Sequence, residues 1–206
     1  MFVTVDGLGG AGKTTVVAHL ARYLTDRGYP VHATTEPSHA PLGEIARHQT
    51  DTYSGHALAC LVAADRYHHL ATDIRPNLAT AKIVICDRYV ASSYVLQRMD
   101  GVPLPFIEAV NADTDRPDLA VILTGDPEIT AARISRRGAH TRFESGIDAS
   151  RTEADLYRDT AERLAVLGYP LFSVDTSEAR PESVAAQIGA RIAGLAGVHG
   201  LTPAAE

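Results

Sequence analysis

Gly7-Leu8-Gly9-Gly10-Ala11-Gly12-Lys13-Thr14 follows an apolar, β-branched run, Met1 to Val5, and precedes apolar residues at helical spacing, Val16, Val17, Leu20, Ala21 and Leu24. The stretch fits G-x-x-x-x-G-K-[ST] and lies between a predicted strand and a predicted helix, the setting in which that pattern cradles phosphate. Its glycines allow backbone N–H groups to converge on phosphate oxygens, Lys13 brings a positive charge, and the Thr14 hydroxyl is placed to ligate Mg²⁺. Gly7, Gly9, Gly10, Ala11, Gly12, Lys13, Thr14 and Thr15 are therefore the expected binding residues for the phosphates of a nucleotide, with Mg²⁺ as the expected metal.

Further short apolar runs follow at Val31 to Thr34, Ile83 to Cys86, Leu119 to Leu123 and Leu171 to Val174, separated mostly by helical patterns. Strands alternating with helices imply parallel pairing through right-handed crossovers. The expected fold class is α/β: a P-loop NTPase three-layer sandwich, with a five-stranded parallel sheet flanked by helices, and residues 1–206 as one domain. Ligands of such sheets bind at the carboxyl ends of the strands. Chemistry is expected at residues 6–15, 35–40, 87–97 and from 124 onward. Thr202 to Glu206 reads as a frayed tail.

The formal net charge of −6 argues against a nucleic-acid binder, which would carry a basic surface, so an anionic ligand has to be held locally. No apolar run approaches the length of a membrane span and no cleavable signal opens the chain, which makes the cytoplasm the expected location. Cys60 and Cys86 each sit in an apolar stretch and read as buried packing residues. The nine histidines, His68-His69 included, lack metal-ligand spacing to nearby cysteines or carboxylates.

Beyond the loop, several stretches resemble the thymidylate kinase family. That family shows a loop of the form EGLDGSGKTT, then TREPGGTPLGE, FAADR, DRYxxSSxAYQ, RPDL and DRFE. Here the matching stretches, in the same order, are Asp6 to Thr15, Thr34 to Glu44 (TTEPSHAPLGE), Val62 to Arg66 (VAADR), Asp87 to Gln97 (DRYVASSYVLQ), Arg116 to Leu119 (RPDL) and Thr141 to Glu144 (TRFE). The resemblance implies transfer of a phosphoryl group from ATP to a small phosphorylated acceptor, in a protein that forms a homodimer.

Asp87 ends an apolar strand beside the loop, where its carboxylate can join Thr14 in holding Mg²⁺. Arg88 follows, and the resemblance puts it on the acceptor phosphate, a role that suits the planar guanidinium fork. Arg66 is implied to face the acceptor base. Glu36, Pro37, His39, Val62, Ser93, Leu96 and Gln97 complete the implied acceptor-binding set, with His39 as a donor to phosphate. Arg133, Arg136, Arg137 and Arg142 cluster around a Gly-Ala-His turn and resemble the family's lid, which implies a single P-loop nucleotide kinase domain over 1–206 with a small mobile lid at about 135–146. Arg137 and Arg142, together with Lys13 and Arg88, are the expected catalytic charges.

The phosphate-handling positions are kept, while four recognition positions depart from the family pattern. Gly9 stands for a loop carboxylate, Thr35 for the arginine of TREP, Val62 for the phenylalanine that stacks on thymine, and Leu96 for a tyrosine near the sugar. Loss of dedicated polar groups and an aromatic plate lowers discrimination. The expectation is a kinase of this fold whose acceptor is a modified or ribose-containing pyrimidine nucleotide, or another phosphorylated or phosphonate metabolite. Housekeeping dTMP phosphorylation is the close alternative. A P-loop partition or switch ATPase is the alternative of a different class, although Leu8 stands where partition ATPases carry an extra lysine and no Asn-Lys-x-Asp motif for guanine is present.

Overall fold

The computed structural model describes residues 1–138, 142–144 and 146–202, apart from the side chains of Arg142 and His199. The chain begins β1 (Phe2–Gly7), α1 (Lys13–Thr25), β2 (Val31–Thr35), α2 (Pro41–His48) and α3 (Gly55–His69). A π-helical turn, Leu70–Ile74, leads into α4 (Arg75–Ala79), then β3 (Ile83–Asp87), α5 (Val90–Met99), α6 (Leu104–Val110) and β4 (Leu119–Thr124). It closes with α7 (Pro127–Arg137), a 3₁₀ turn Arg142–Glu144, α8 (Gly146–Val166), β5 (Leu171–Asp175) and α9 (Pro181–Ala196). The five strands form one sheet in the order β2-β3-β1-β4-β5, every adjacent pair parallel.

Every strand runs one or two residues past the end of its apolar run, to Gly7, Thr35, Asp87, Thr124 and Asp175. The ladder does not stop where hydrophobicity does, because backbone pairing is indifferent to side-chain polarity. In register, Asp87 is paired with Val5 on one side and Thr35 on the other, and Gly7 with Leu123. The polar ends of three strands thus meet at one edge. Beneath them, Val3, Val5, Ile83, Ile85, Val121 and Leu123 have essentially no exposure. Helix α1 packs on α9 and α5 packs on α8, flanking the sheet with an apolar core.

Cys86 is buried in β3 as expected, but Cys60 is exposed. Helical periodicity turns Leu58, Ala59, Ala63 and Arg66 inward and leaves Cys60 on the outer face of α3. Among the described residues no helix is long and apolar enough to cross a membrane. Of the expected lid, residues 139–141 and 145 lie outside the described residues, as does the end of the expected tail, 203–206.

Candidate active site

The phosphate loop closes tightly at both ends. Gly7 has φ 143°, and a Cβ there would sit 2.2 Å from the Leu123 carbonyl oxygen of the neighbouring strand. Gly12, with φ 84°, is the residue from which α1 starts, a left-handed conformation that glycine adopts without penalty. Helix α1 therefore opens on Lys13 with its free N–H groups directed into the loop. Lys13 is itself buried, and its Nζ donates to the carbonyls of Gly7 and Leu8 at 2.7 Å each. Burial, with the positive Arg88 nearby, pushes its pKa down to about 7.

Across the cleft the end of β3 supplies Asp87, Arg88 and Tyr89. The Thr14 hydroxyl donates to one Asp87 carboxylate oxygen at 2.6 Å, while the other oxygen is buried without a hydrogen-bond partner among the described residues. A hydroxyl beside an unsatisfied buried carboxylate oxygen is a hard-oxygen pair that suits Mg²⁺. Arg88 has φ 70°, which costs a residue with a side chain. Asp6, from the end of β1, holds that turn. One of its oxygens accepts from the backbone N–H of Tyr89 (2.8 Å) and Ser92 (2.9 Å) and from the Ser92 hydroxyl (2.7 Å), so the carboxylate also caps the start of α5. Arg88 is left with its Nη1 buried and unpartnered among the described residues. A buried guanidinium nitrogen with nothing to donate to is a ready anion site.

One cavity of about 680 Å³ joins these groups. Its walls include Gly10, Gly12, Lys13, Thr14 and Thr15 of the donor loop, Asp87 and Arg88 at the centre, and Glu36, Pro37, Val62, Arg66, Ser93 and Leu96 at the far end. Arg137 also reaches it, paired with Glu144 at 2.5 Å. Gly7, Gly9, Ala11 and Gln97 are buried but not part of the wall, and the Gln97 Oε1 has no partner among the described residues. His39 is not brought to the cavity. Its ring is 77% exposed and pairs with Glu44 at 3.1 Å, because the chain turns outward into α2 after Ser38. The arginine cluster also divides: Arg133 donates to the carbonyls of Thr176 and Ser177, fastening α7 to the segment after β5, and Arg136 is exposed. The side chain of Arg142 lies outside the described residues. Thr124 and Gly125 line a separate hollow with Asp175 and Ser177.

Arg66 is neither exposed nor paired with its neighbour Asp65. It is 1% exposed and donates through Nε to Glu36 at 2.7 Å, through Nη2 to Ser93 at 2.9 Å and through Nη1 to Asn111. Asp65 accepts instead from the backbone N–H and the hydroxyl of Ser38, at 2.6 and 2.5 Å. The two adjacent residues of α3 thus grip the segment 36–38 from one side.

Three further groups had no local signal in the sequence. Arg47 lines the cavity and donates to the Pro37 carbonyl, while its Nε is buried without a partner among the described residues. Glu153 of α8 is 4% exposed and accepts from the Gly9 N–H at 2.9 Å. Burial raises its pKa. A Cβ placed on Gly9 would sit 3.3 Å from carboxylate oxygens of both Glu144 and Glu153. Carboxyl groups from two other elements therefore lie beside position 9, where a loop carboxylate is read as lost. His69, expected to have no ligand-type neighbours, lies with Glu36 and Cys86 in a cluster whose ligand-type atoms are within 4.8 Å of one another. The Cys86 thiol donates to the Arg88 carbonyl and Arg66 already holds Glu36, so the cluster is a hydrogen-bonded hub with a cation in place.

Comparison with known proteins agrees with this geometry. The family model described as thymidylate kinase matches residues 5–188. A probable thymidylate kinase of Pyrobaculum aerophilum is 36% identical over 190 residues, 91% of this chain and 93% of the relative. One from Caldivirga maquilingensis is 38% identical over 161 residues, 76% of this chain and 78% of the relative. A thymidylate kinase of Leifsonia xyli is 35% identical over 203 residues, 94% and 95% of the two chains.

Proposed function

The chain belongs to the thymidylate kinase family, and from that premise we propose that it transfers the γ-phosphoryl group of ATP to dTMP, yielding ADP and dTDP. The observation that carries this reading is a cavity with two anion sites at its centre. The donor loop opens at one end, and the buried, unpartnered Nη1 of Arg88 waits on the wall beyond Asp87. A switch or partition ATPase needs the first site only; a kinase acting on a phosphorylated acceptor needs both.

In this reading an oxygen of the acceptor phosphate attacks the γ-phosphorus in line, and the bond to the β–γ bridging oxygen breaks. Lys13 leaves the carbonyls of Gly7 and Leu8 for the transferring phosphates, Arg88 orients the acceptor phosphate, and Arg137, with Arg142, offsets the charge on the equatorial oxygens. Thr14 and Asp87 are the residues that would hold Mg²⁺, which neutralises charge on the donor. Glu36, Arg66, Ser93, Val62 and Leu96 frame the nucleoside end. A segment at 135–146 acts as a lid over the phosphates, and the protein works as a cytoplasmic homodimer.

A modified or ribose-containing pyrimidine nucleotide, or another phosphorylated or phosphonate metabolite, is the expectation from the four altered positions. The names of the relatives support dTMP instead, and the carboxylates of Glu144 and Glu153 beside Gly9 remove one of the four grounds. The test is a coupled ADP assay across dTMP, dUMP, UMP, CMP, modified pyrimidine monophosphates and small phosphonates. The highest kcat/KM is expected with dTMP, with turnover lost after EDTA treatment. ADP release that ignores every acceptor would reject the kinase reading; a clear preference for another monophosphate would reject dTMP.

A further inference from the structure

Behind the nucleoside end of the cavity runs a row of charges that the transfer step does not use. Arg66 Nε donates to one oxygen of Glu36; the other oxygen lies 3.3 Å from Nδ1 of His69. On its opposite side, His69 Nε2 lies 2.7 Å from the Thr34 hydroxyl and 3.2 Å from Asp73, which also meets His32 Nε2 at 3.0 Å. The π-helical turn Leu70–Ile74 carries Asp73 back under the ring. The order is arginine, carboxylate, imidazole, carboxylate, imidazole, from the buried cavity wall to side chains at Asp73 and His32 that are about one-third exposed.

We propose that His69 is a positioning residue for the acceptor: as the imidazolium it holds Glu36, and through Glu36 it holds Arg66, at the nucleoside end of the cavity. A neutral imidazole has one N–H, yet both ring nitrogens of His69 face carboxylate oxygens. Only the protonated ring donates to both, and when the proton is lost one contact becomes a lone pair against a carboxylate, relieved in part by the Thr34 hydroxyl. The groups that face the ring are Thr34 on β2, Glu36 after β2, Asp73 on the π turn and the protonated thiol of Cys86 on β3; Arg66 stands behind Glu36 and His32 behind Asp73. Burial draws the His69 pKa down, but the bond to Glu36 and the charges of Glu36 and Asp73 outweigh it and leave the pKa above the ordinary histidine value. The partly exposed Asp73 and His32 connect the ring to solvent for proton exchange.

This inference rests on the kinase reading for its kinetic arm and on geometry alone for its spectroscopic one. The intact protein, labelled at its histidines, is titrated by NMR, with His69 assigned by its loss in His69→Gln. Titration above the ordinary value of about 6.5 is expected, with a downward shift in Asp73→Asn. In parallel, KM for dTMP should rise roughly five- to tenfold as pH passes upward through that pKa, the difference between a charge-assisted and a neutral hydrogen bond. The KM for ATP should change less than twofold. The rise should vanish in His69→Gln and move to lower pH in Asp73→Asn, a surface-accessible change that spares the core should His69→Gln fold poorly. Titration of His69 at or below the ordinary value, or the same KM profile in wild type and variants, would overturn the proposal. Absence of transfer to dTMP at every pH would instead reject the acceptor, and the NMR titration would then decide His69 on its own.

Discussion

The backbone N–H of Gly9 donates to a carboxylate oxygen of Glu153 at 2.9 Å, a contact between residues 144 positions apart in the chain. From the sequence, Gly9 marks a vanished carboxylate, and Gly9→Asp should improve dTMP turnover by restoring it. The structure reverses that expectation. An aspartate at position 9 would bring a third carboxylate against Glu144 and Glu153 in a buried site. Gly9→Asp should lose about 1–3 kcal/mol of stability with no gain in kcat/KM for dTMP. Thermal melts and steady-state kinetics decide it; a gain in kcat/KM at unchanged Tm would refute the expected outcome.

Lys13 and Arg88 line one cavity and in the proposed reading serve different phosphates, so their losses should differ in kind. Lys13→Ala should abolish detectable transfer. Arg88→Ala should lower kcat/KM for the acceptor by at least about 2 kcal/mol of transition-state stabilisation while ATP binding persists. Near-normal kcat/KM in both would contradict the assignment of the cavity.

Arg137 reaches the cavity and is held by Glu144 in the structure. Arg137→Ala should reduce kcat about tenfold or more with little change in either KM, the pattern of a group that acts on the transition state. A change confined to KM would move Arg137 to substrate binding.

Asp6 links stability to pH through the turn that presents Arg88. Burial raises its pKa above 3.8, so the folded chain binds more protons there than the unfolded chain between 3.8 and the raised value. The stability that Asp6 confers therefore falls as pH rises through that window. Asp6→Asn keeps an acceptor for Tyr89 and Ser92 without the buried charge, so its stability relative to wild type should improve from pH 4 towards neutrality. Asp6→Ala removes all three hydrogen bonds and should cost about 2–4 kcal/mol at low pH, less towards neutrality. Denaturant unfolding at several pH values measures both, and a pH-independent difference for Asp6→Asn would count against the buried charge.

The loop Gly7 to Thr14 and the five strand positions are legible in the sequence alone, whereas the role of Arg88 is what the family resemblance implies. Loop and strands rest on local spacing: apolar periodicity names strand and helix, and the loop motif lies within eight consecutive residues. The contacts made by Glu153, His69, Asp65 and Arg47 are not legible in this way. Each depends on which strand lies beside which, and on the register that sets Thr35 and Val5 against Asp87. A polar side chain carries no periodic signature of its partner, so the Gly9–Glu153 contact, the Arg66–Glu36–His69 row and the outward turn of His39 were decided only when the tertiary fold brought distant segments together, where burial favours pairing of polar groups.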